Sequence, residues 1–329
     1  MAGTLAAPTP ADPVRGWMDE VEQVLERASA SEVEVLQAAA RHILSAGGKR
    51  IRPHLTLLVT SALGGSLARA VPLAAACELV HTATLVHDDI VDESDSRRGR
   101  MAVQFYYGNS ASVLMGDFLV IRSFGLVHTD PDREIWRLMV DTIARMCEGE
   151  VLQICVKGDT AIGVDVYETV IECKTALLIS TCTRIGARIS GAGGAAIEAL
   201  TAFGYNLGMA FQIQDDILDF TGSKESLGKP IGGDLREGKV TLPVIYALQD
   251  ASGDDRKRLL RTYEKAAPLS DQEIAAATSI IERSGGFLRA TDHAREYIRR
   301  ARLELERVLS AAERAPLERL AGQIVDRHR

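Results

Sequence analysis

Two aspartate clusters of one pattern stand in this chain, His87-Asp88-Asp89-Ile90-Val91-Asp92 and Gln214-Asp215-Asp216-Ile217-Leu218-Asp219, each closing an apolar stretch with helical spacing. A helix turns about 100° per residue, so Asp88 and Asp92 share one face and Asp215 and Asp219 share another. Carboxylates in a last helical turn repel each other and meet the negative end of the dipole, at a cost of a few tenths to about 1 kcal/mol per contact. One cluster is compatible with a solvated face. Two of identical D-D-x-x-D form call for a cation that offsets the repulsion. An all-oxygen, acidic ligand set suits Mg²⁺, which takes one or two carboxylates and fills its remaining positions with water and phosphate oxygens. The chemistry to expect is that of a magnesium–phosphate substrate.

Cationic side chains stand nearby in sequence. Arg97 and Arg98 follow the first cluster, where a guanidinium can grip phosphate in a bidentate manner, although an arginine pair on a turn is by itself an ordinary solvated feature. Gly47-Gly48-Lys49-Arg50-Ile51-Arg52-Pro53 separates two helical stretches. Its glycines suit a helix end and Pro53 the first turn of the next helix, which sets Lys49 and Arg52 beside a phosphate-attracting N-terminus. A basic surface turn explains these residues equally well. His81, Leu85, Asp88 and Asp92 follow a 4-3-4 spacing that places His81 on the metal-facing stripe, whereas a lone histidine is more often a satisfied core residue. Lys174 falls among apolar neighbours, where a snorkelling surface lysine is the ordinary reading.

Helices must carry these groups. Segments 17–45, 67–93, 132–156, 164–190, 194–220 and 286–325 have apolar residues at spacings of three and four, strict alternation is hard to find, and no solenoid repeat is visible. The expected architecture is all-α, a bundle of about ten or more helices. The exception is 221–243, with five glycines, two prolines and three lysines, either a functional element or a solvated connector. Residues 1–13 hold three of the ten prolines and read as a flexible tail. With 46% hydrophobic and 25% charged residues in 329, the chain fits a soluble globular protein rather than a disordered or fibrous one. A net charge of −7 argues against a generally basic nucleic-acid binder while allowing a local cationic pocket. Five cysteines without a C-x-x-C pair or zinc-ligand spacing read as reduced, mostly buried thiols of a cytoplasmic protein. The N-terminus lacks the pattern of a signal peptide, and no apolar run of bilayer-spanning length is expected.

Taken jointly, GGKRIRP at 47–53, HTATLVHDDIVDESDSRRG at 81–99, EGEVLQ at 148–153, KTA at 174–176, FQIQDDILDF at 211–220 and GKPIGGDLREGKVTLP at 228–243 resemble, in the same order, the trans-isoprenyl diphosphate synthase (polyprenyl synthetase) family. The resemblance implies one isoprenoid synthase-like domain over 14–329, with the helices around a central cavity, and a prenyltransferase activity. Several Mg²⁺ ions would bridge both aspartate motifs to the diphosphate of an allylic substrate. The allylic C–O bond ionises, isopentenyl diphosphate attacks the cation, and loss of a proton completes one isoprene addition. By the same resemblance Asp88, Asp89, Asp92, Lys174, Asp215 and Asp216 are catalytic, and Asp88, Asp92, Asp215 and Asp219 are metal ligands. Arg97, Lys174, Thr175, Gln212, Lys229 and Lys239 would contact the allylic diphosphate, and Lys49, Arg52, His81 and Arg98 the isopentenyl diphosphate. The loop 221–243 becomes a lid, mobile without ligand. The implied partners are the two diphosphates and a second copy in a homodimer, with no nucleic acid; a lipid-like product is compatible with transient membrane association.

In such enzymes side-chain bulk beneath the first aspartate motif sets product length, and short-chain members carry an aromatic residue there. Here Ala83 and Thr84 precede Asp88 by five and four residues. On an ideal helix Thr84 lies about 40° from Asp88 and roughly 6 Å lower, lining the tunnel, whereas the role of Ala83 rests on resemblance. The small pair implies a long product, heptaprenyl to decaprenyl, of the kind used for quinone side chains and primed by farnesyl or geranylgeranyl diphosphate. A short-chain synthase is the alternative. Trp136, Met139 and Ile143 are candidates for the tunnel floor, and Gly204 and Gly208 suit close helix packing. A terpene cyclase is disfavoured because its second metal motif has an Asn/Ser/Glu form. A noncatalytic partner subunit is disfavoured by intact Asp88, Asp92, Asp215, Lys174 and Arg98.

Overall fold

Helical spacing becomes α-helix through nearly all of the computed structural model, which describes residues 12–94, 96–97, 100–222, 231–265 and 268–325. In chain order the helices are α1 (Arg15–Ala28), α2 (Glu34–Ser45), α3 (Ile51–Ala62), α4 (Leu67–Val91), α5 (Val103–His128), α6 (Arg133–Cys155) and α7 (Val164–Ile171). A π-helical turn, Glu172–Ala176, joins α7 to α8 (Leu177–Ile189), and α9 (Gly194–Thr221) follows. The remainder are α10 (Gly233–Arg236), α11 (Leu242–Asp250), α12 (Gly253–Glu264), α13 (Asp271–Arg283), α14 (Gly286–Val308) and α15 (Ala311–Val325). Among the described residues the one strand pairing is two residues long, Ser96–Arg97 antiparallel to Arg100–Met101.

The local signals for these helices are conventional. The Ser66 hydroxyl caps α4 at Arg69 N, Asp132 caps α6 at Glu134 N, and Ser270 with Glu273 forms a capping box on α13. α4 packs on α3 and α5, and α9 lies against α8 and α14, so α3, α4, α8 and α9 stand at the centre of a continuous core to which the other helices add their apolar faces. Gly204 and Gly208 bring α9 hard against the segment before it. A Cβ on Gly204 would sit 2.8 Å from Ser180 Cα, and one on Gly208 would sit 2.5 Å from Ala176 Cα. Gly149 of α6 meets the same segment from another side, where a Cβ would come within 2.2 Å of Cys173 Cβ. The π turn is thereby gripped between two helices that only glycine lets so close.

Two expectations need correction. The sequence reading found no apolar run long enough for a bilayer, yet α4 and α5 are both long and apolar enough to cross one. In α4, 72% of that stretch is buried inside the protein, so its apolar residues serve the core, while in α5 only 33% is buried. The tail expected over 1–13 also ends earlier than drawn. Residues 1–11 lie outside the described residues, but Asp12 accepts from Val14 N at 3.1 Å and reaches His54 at 3.0 Å, and Val14 is fully buried. Three cysteines, Cys77, Cys173 and Cys182, are buried, whereas Cys147 and Cys155 are exposed on α6.

Candidate active site

The stripe of His81, Leu85 and Asp88 on α4 is half-buried, between flanks occupied by buried Ala83, Val86 and Asp89, and Asp92 continues it as the helix C-cap. The cations that the repulsion called for are lysines. Lys174 Nζ lies 3.5 Å from Asp88 Oδ2 and 2.9 Å from Glu150 Oε2, and Gln153 Nε2 donates to the other oxygen of Glu150 at 3.1 Å. Lys239 Nζ lies 2.9 Å from Asp92 Oδ2 and 2.5 Å from Glu237 Oε2. Burial works against both ammonium charges, but the carboxylates of Asp88 and Glu150 around Lys174, and of Asp92 and Glu237 around Lys239, outweigh it and hold both lysines protonated. Lys174 is therefore no snorkelling surface residue.

The second aspartate motif does not repeat the first. Asp215 is half-buried like Asp88, but Asp216 and Asp219 are 5% and 1% exposed and bonded into the protein. Asp216 accepts from Tyr167 Oη at 2.6 Å and from Gln212 Nε2 at 2.8 Å. Burial pushes its carboxyl up to about 6, with Asp215 and Asp219 adding to the rise and the bonds from Tyr167 and Gln212 restraining it. Burial, and then the nearby Asp216 charge, keep the Tyr167 hydroxyl protonated and hence a donor. Asp219 Oδ2 accepts from Asp234 N at 3.0 Å, and its own carbonyl accepts from Gly232 N at 2.8 Å. The equivalence expected of the two motifs is thus lost, because one turn of helix puts side chains on a common face without deciding which of them that face buries.

Thr175 follows Lys174 on the π turn and donates to Gln212 Oε1 at 2.7 Å, so Thr175, Gln212 and Asp216 form one chain of hydrogen bonds. At the other cationic segment Gly47, at φ 68°, ends α2, and Arg50 enters α3 in the left-handed region at φ 47°. That conformation is unusual for arginine and is held by three acceptors: Glu22 at 2.6 Å, Glu78 at 2.9 Å and Leu44 O at 3.2 Å. Lys49 on one side stays exposed, while Arg52 on the other is buried with its Nε lacking a hydrogen-bond acceptor among the described residues. Burial lowers the Arg52 pKa, and negative charge around it acts against that, the Glu78 carboxylate most and Asp215 least. A buried guanidinium with an unused N–H is a donor set for an anion.

Comparison with known proteins settles what assembly this is. The polyprenyl synthetase family pattern matches residues 33–281. The chain belongs to the polyprenyl synthetase family. It is 37% identical to the short chain isoprenyl diphosphate synthase of Methanothermobacter thermautotrophicus, over 93% of this chain and 94% of that one. It is 40% identical to the heptaprenyl diphosphate synthase component 2 of Geobacillus stearothermophilus, over 85% and 86%. Its fold overlays the Caulobacter crescentus polyprenyl synthase, solved with calcium and isoprenyl diphosphate, with a TM-score of 0.90 and 35% identity over 96% of both chains. The protein is a trans-prenyl diphosphate synthase with the all-α isoprenoid synthase fold.

Of the residues expected in this polyprenyl synthetase site, the structure brings together Asp88, Asp92, Lys174 and Lys239 by ion pairs, and Thr175, Gln212 and Asp216 by hydrogen bonds. His81 shares the α4 stripe, and its carbonyl accepts from Thr84 Oγ1 at 2.8 Å. Asp89 is buried, with Gln104 Nε2 on its carbonyl at 2.9 Å. Arg98 and Lys229 lie outside the described residues, as does the side chain of Arg97. The mobile lid expected over 221–243 also needs revision. Its residues 223–230 lie outside the described residues, but 231–243 are anchored: Lys239 N donates to Asp234 O at 2.8 Å, Tyr263 Oη to Lys239 O at 3.1 Å, and Gly158 N to Gly238 O at 2.9 Å. Sequence reasoning missed Arg50, Glu150, Tyr167, Glu237 and Tyr263. Arg50, Glu150 and Glu237 carried a signal, since they lie within the quoted GGKRIRP, EGEVLQ and GKPIGGDLREGKVTLP segments, whereas Tyr167 and Tyr263 lie outside all of them.

Ala83 is fully buried and Thr84 half-buried. Of the floor candidates, Met139 is core, Ile143 packs on the core, and Trp136 lies against Phe124 and His128 at ring distances of 5.0 and 5.9 Å.

Proposed function

We propose that this synthase extends an allylic diphosphate to a long polyprenyl chain, in the heptaprenyl to decaprenyl range, at the site built from Asp88, Asp92, Asp215, Lys174 and Lys239. The observation that carries the site assignment is the pair of ammonium groups seated on Asp88 and Asp92. The donor set fits Mg²⁺: Asp88, Asp92 and Asp215 offer hard oxygens, and among the described residues no three metal-binding side chains form a finished cage. Mg²⁺ needs only one or two carboxylates when phosphate and water supply the rest. Bound there, the metal would neutralise charge on the departing diphosphate. Asp219 is better read as holding residues 232–234 than as a ligand, since one of its oxygens is committed to Asp234 N.

Lys174 and Lys239 leave their carboxylates for the allylic diphosphate and stabilise it as the C–O bond breaks, an electrostatic contribution that grows as water is excluded. Arg52 and Lys49 hold the isopentenyl diphosphate in line with the cation, converting a bimolecular encounter into a positioned one. The test is incubation of the purified chain with farnesyl or geranylgeranyl diphosphate, isopentenyl diphosphate and Mg²⁺, followed by mass analysis. Elongation that stops on chelation supports the reading, and no elongation with either primer sinks it. The Geobacillus relative is one component of its synthase. Turnover by the isolated chain therefore also decides against a required second component.

Product length turns on Thr84 rather than Ala83. Thr84 lies on the half-buried side with His81 and Asp88, whereas a large residue at Ala83 must displace core atoms at about 1–3 kcal/mol. Thr84→Phe is expected to shorten the product by at least one isoprene unit with turnover still measurable; an unchanged product mass removes Thr84 from the gate.

A second copy of the chain would cover α5 and α6, where Phe105, Tyr106, Val113, Leu114 and Ile121 on the first and Val151 and Ile154 on the second are exposed. Ile121, 66% exposed, is expected to sit inside that homodimer contact. Ile121→Asp should convert a dimer to a monomer in sedimentation, and a parent-like sedimentation coefficient would place the contact elsewhere.

A further inference from the structure

Adjacent residues of α7 bond to different helices. Glu168 faces away from the aspartates and accepts from Tyr297 Oη of α14 at 2.7 Å, with His293 Nε2 of α14 at 2.9 Å. Tyr167 faces inward, is 4% exposed, and donates to Asp216 of α9 at 2.6 Å. Asp216 receives a second arm through Gln212 from Thr175. Tyr167 precedes the π turn and Thr175 lies on it directly after Lys174, so one buried carboxylate is joined to the turn from both sides. A π turn lacks the regular ladder of i→i−4 bonds and is a local irregularity that the surroundings must hold. What it presents is Lys174, poised between Asp88 and Glu150. If the turn relaxes, the ammonium can settle wholly on Glu150.

We infer that Tyr167 is a positioning residue for prenyl transfer, its hydroxyl fixing Asp216 and through it the turn that aims Lys174 at the diphosphate. The inference rests on the reading of Lys174 given above. It differs from simple satisfaction of a buried carboxylate, because in that case the hydroxyl would matter to stability and not to the lysine.

A double-mutant cycle separates the two. Tyr167→Phe keeps the ring and removes the O–H; kcat should fall about tenfold or more while KM for isopentenyl diphosphate stays within twofold. In a Lys174→Ala background the same change should alter kcat by less than twofold, because the residue it acts through is gone. Tyr297→Phe, which removes a hydroxyl from the outer side of α7, should leave kcat within twofold. Gln212→Leu cuts the other arm and should lose kcat in the parent but change it by less than twofold in Lys174→Ala, a dependence that a direct substrate contact would not show, which keeps the test open if Tyr167→Phe folds poorly. Equal losses from Tyr167→Phe in both backgrounds, or an unchanged kcat in the parent background, overturn the inference. Parent-like turnover of Lys174→Ala would instead sink the site reading beneath it.

Discussion

Asp88→Asn will lower kcat about 10³-fold without loosening the fold. Asparagine matches aspartate in size, and Lys174 keeps Glu150 at 2.9 Å, so no buried charge is abandoned. The helix itself should gain slightly, since a carboxylate in its last turn faces the negative dipole end at a cost of a few tenths to about 1 kcal/mol. Catalysis loses a ligand oxygen for the cation that neutralises the leaving diphosphate, and removal of a single electrostatic group from such a site costs about 10²–10³-fold, or roughly 3–4 kcal/mol. Steady-state kinetics beside a thermal melt checks both halves. A kcat within tenfold of the parent, or a collapse of the melting midpoint, would show that Asp88 is structural.

Arg52→Gln should act on binding instead. The buried guanidinium has a spare N–H, and a charge-assisted hydrogen bond to a diphosphate oxygen is worth about 1.5–3 kcal/mol, or about 10–150-fold. KM for isopentenyl diphosphate is expected to rise by about that factor, with KM for the allylic primer within twofold. The reverse pattern, an allylic KM that rises alone, would exchange the two diphosphate pockets. Stability should change little, because Arg52 bears a desolvation cost that glutamine does not.

Periodicity made the α4 side of this site legible. His81, Leu85, Asp88 and Asp92 fall on one stripe by spacing alone, and the structure leaves the first three half-buried with Asp92 capping the helix. The same rule overstated the second motif, since Asp216 and Asp219 are claimed by Tyr167 and by the backbone of Asp234, partners 49 and 15 residues away. Partners at such separations have no local signature. Lys239 meets Asp92 across 147 residues, Arg50 meets Glu78 across 28, and Lys174 meets Glu150 across 24. For 221–243, composition alone leaves a functional element and a solvated connector open and the mobile lid comes from resemblance; neither shows that Gly232 and Gly238 adopt left-handed conformations that seat the anchored turn over 231–239.

The π turn has a consequence for what can be cut or grafted in this protein. Its wide turn absorbs one extra residue between the stretch carrying Tyr167 and the stretch carrying Leu178 and Ile179, and Lys174 and Thr175 stand on that turn. Losing any one residue from 172–176 would regularise the helix with little rotation of one half against the other, because the wide turn already absorbs the extra residue, but it would re-aim the residues of the turn itself. Core positions on α8 and the inward face of α7 could then keep their partners, but Lys174 and Thr175 could not both keep Asp88 and Gln212. Point substitutions can be absorbed there one by one, but a single-codon deletion would turn the Lys174 ammonium away from Asp88, so segment exchanges with relatives should carry 172–176 at its full length.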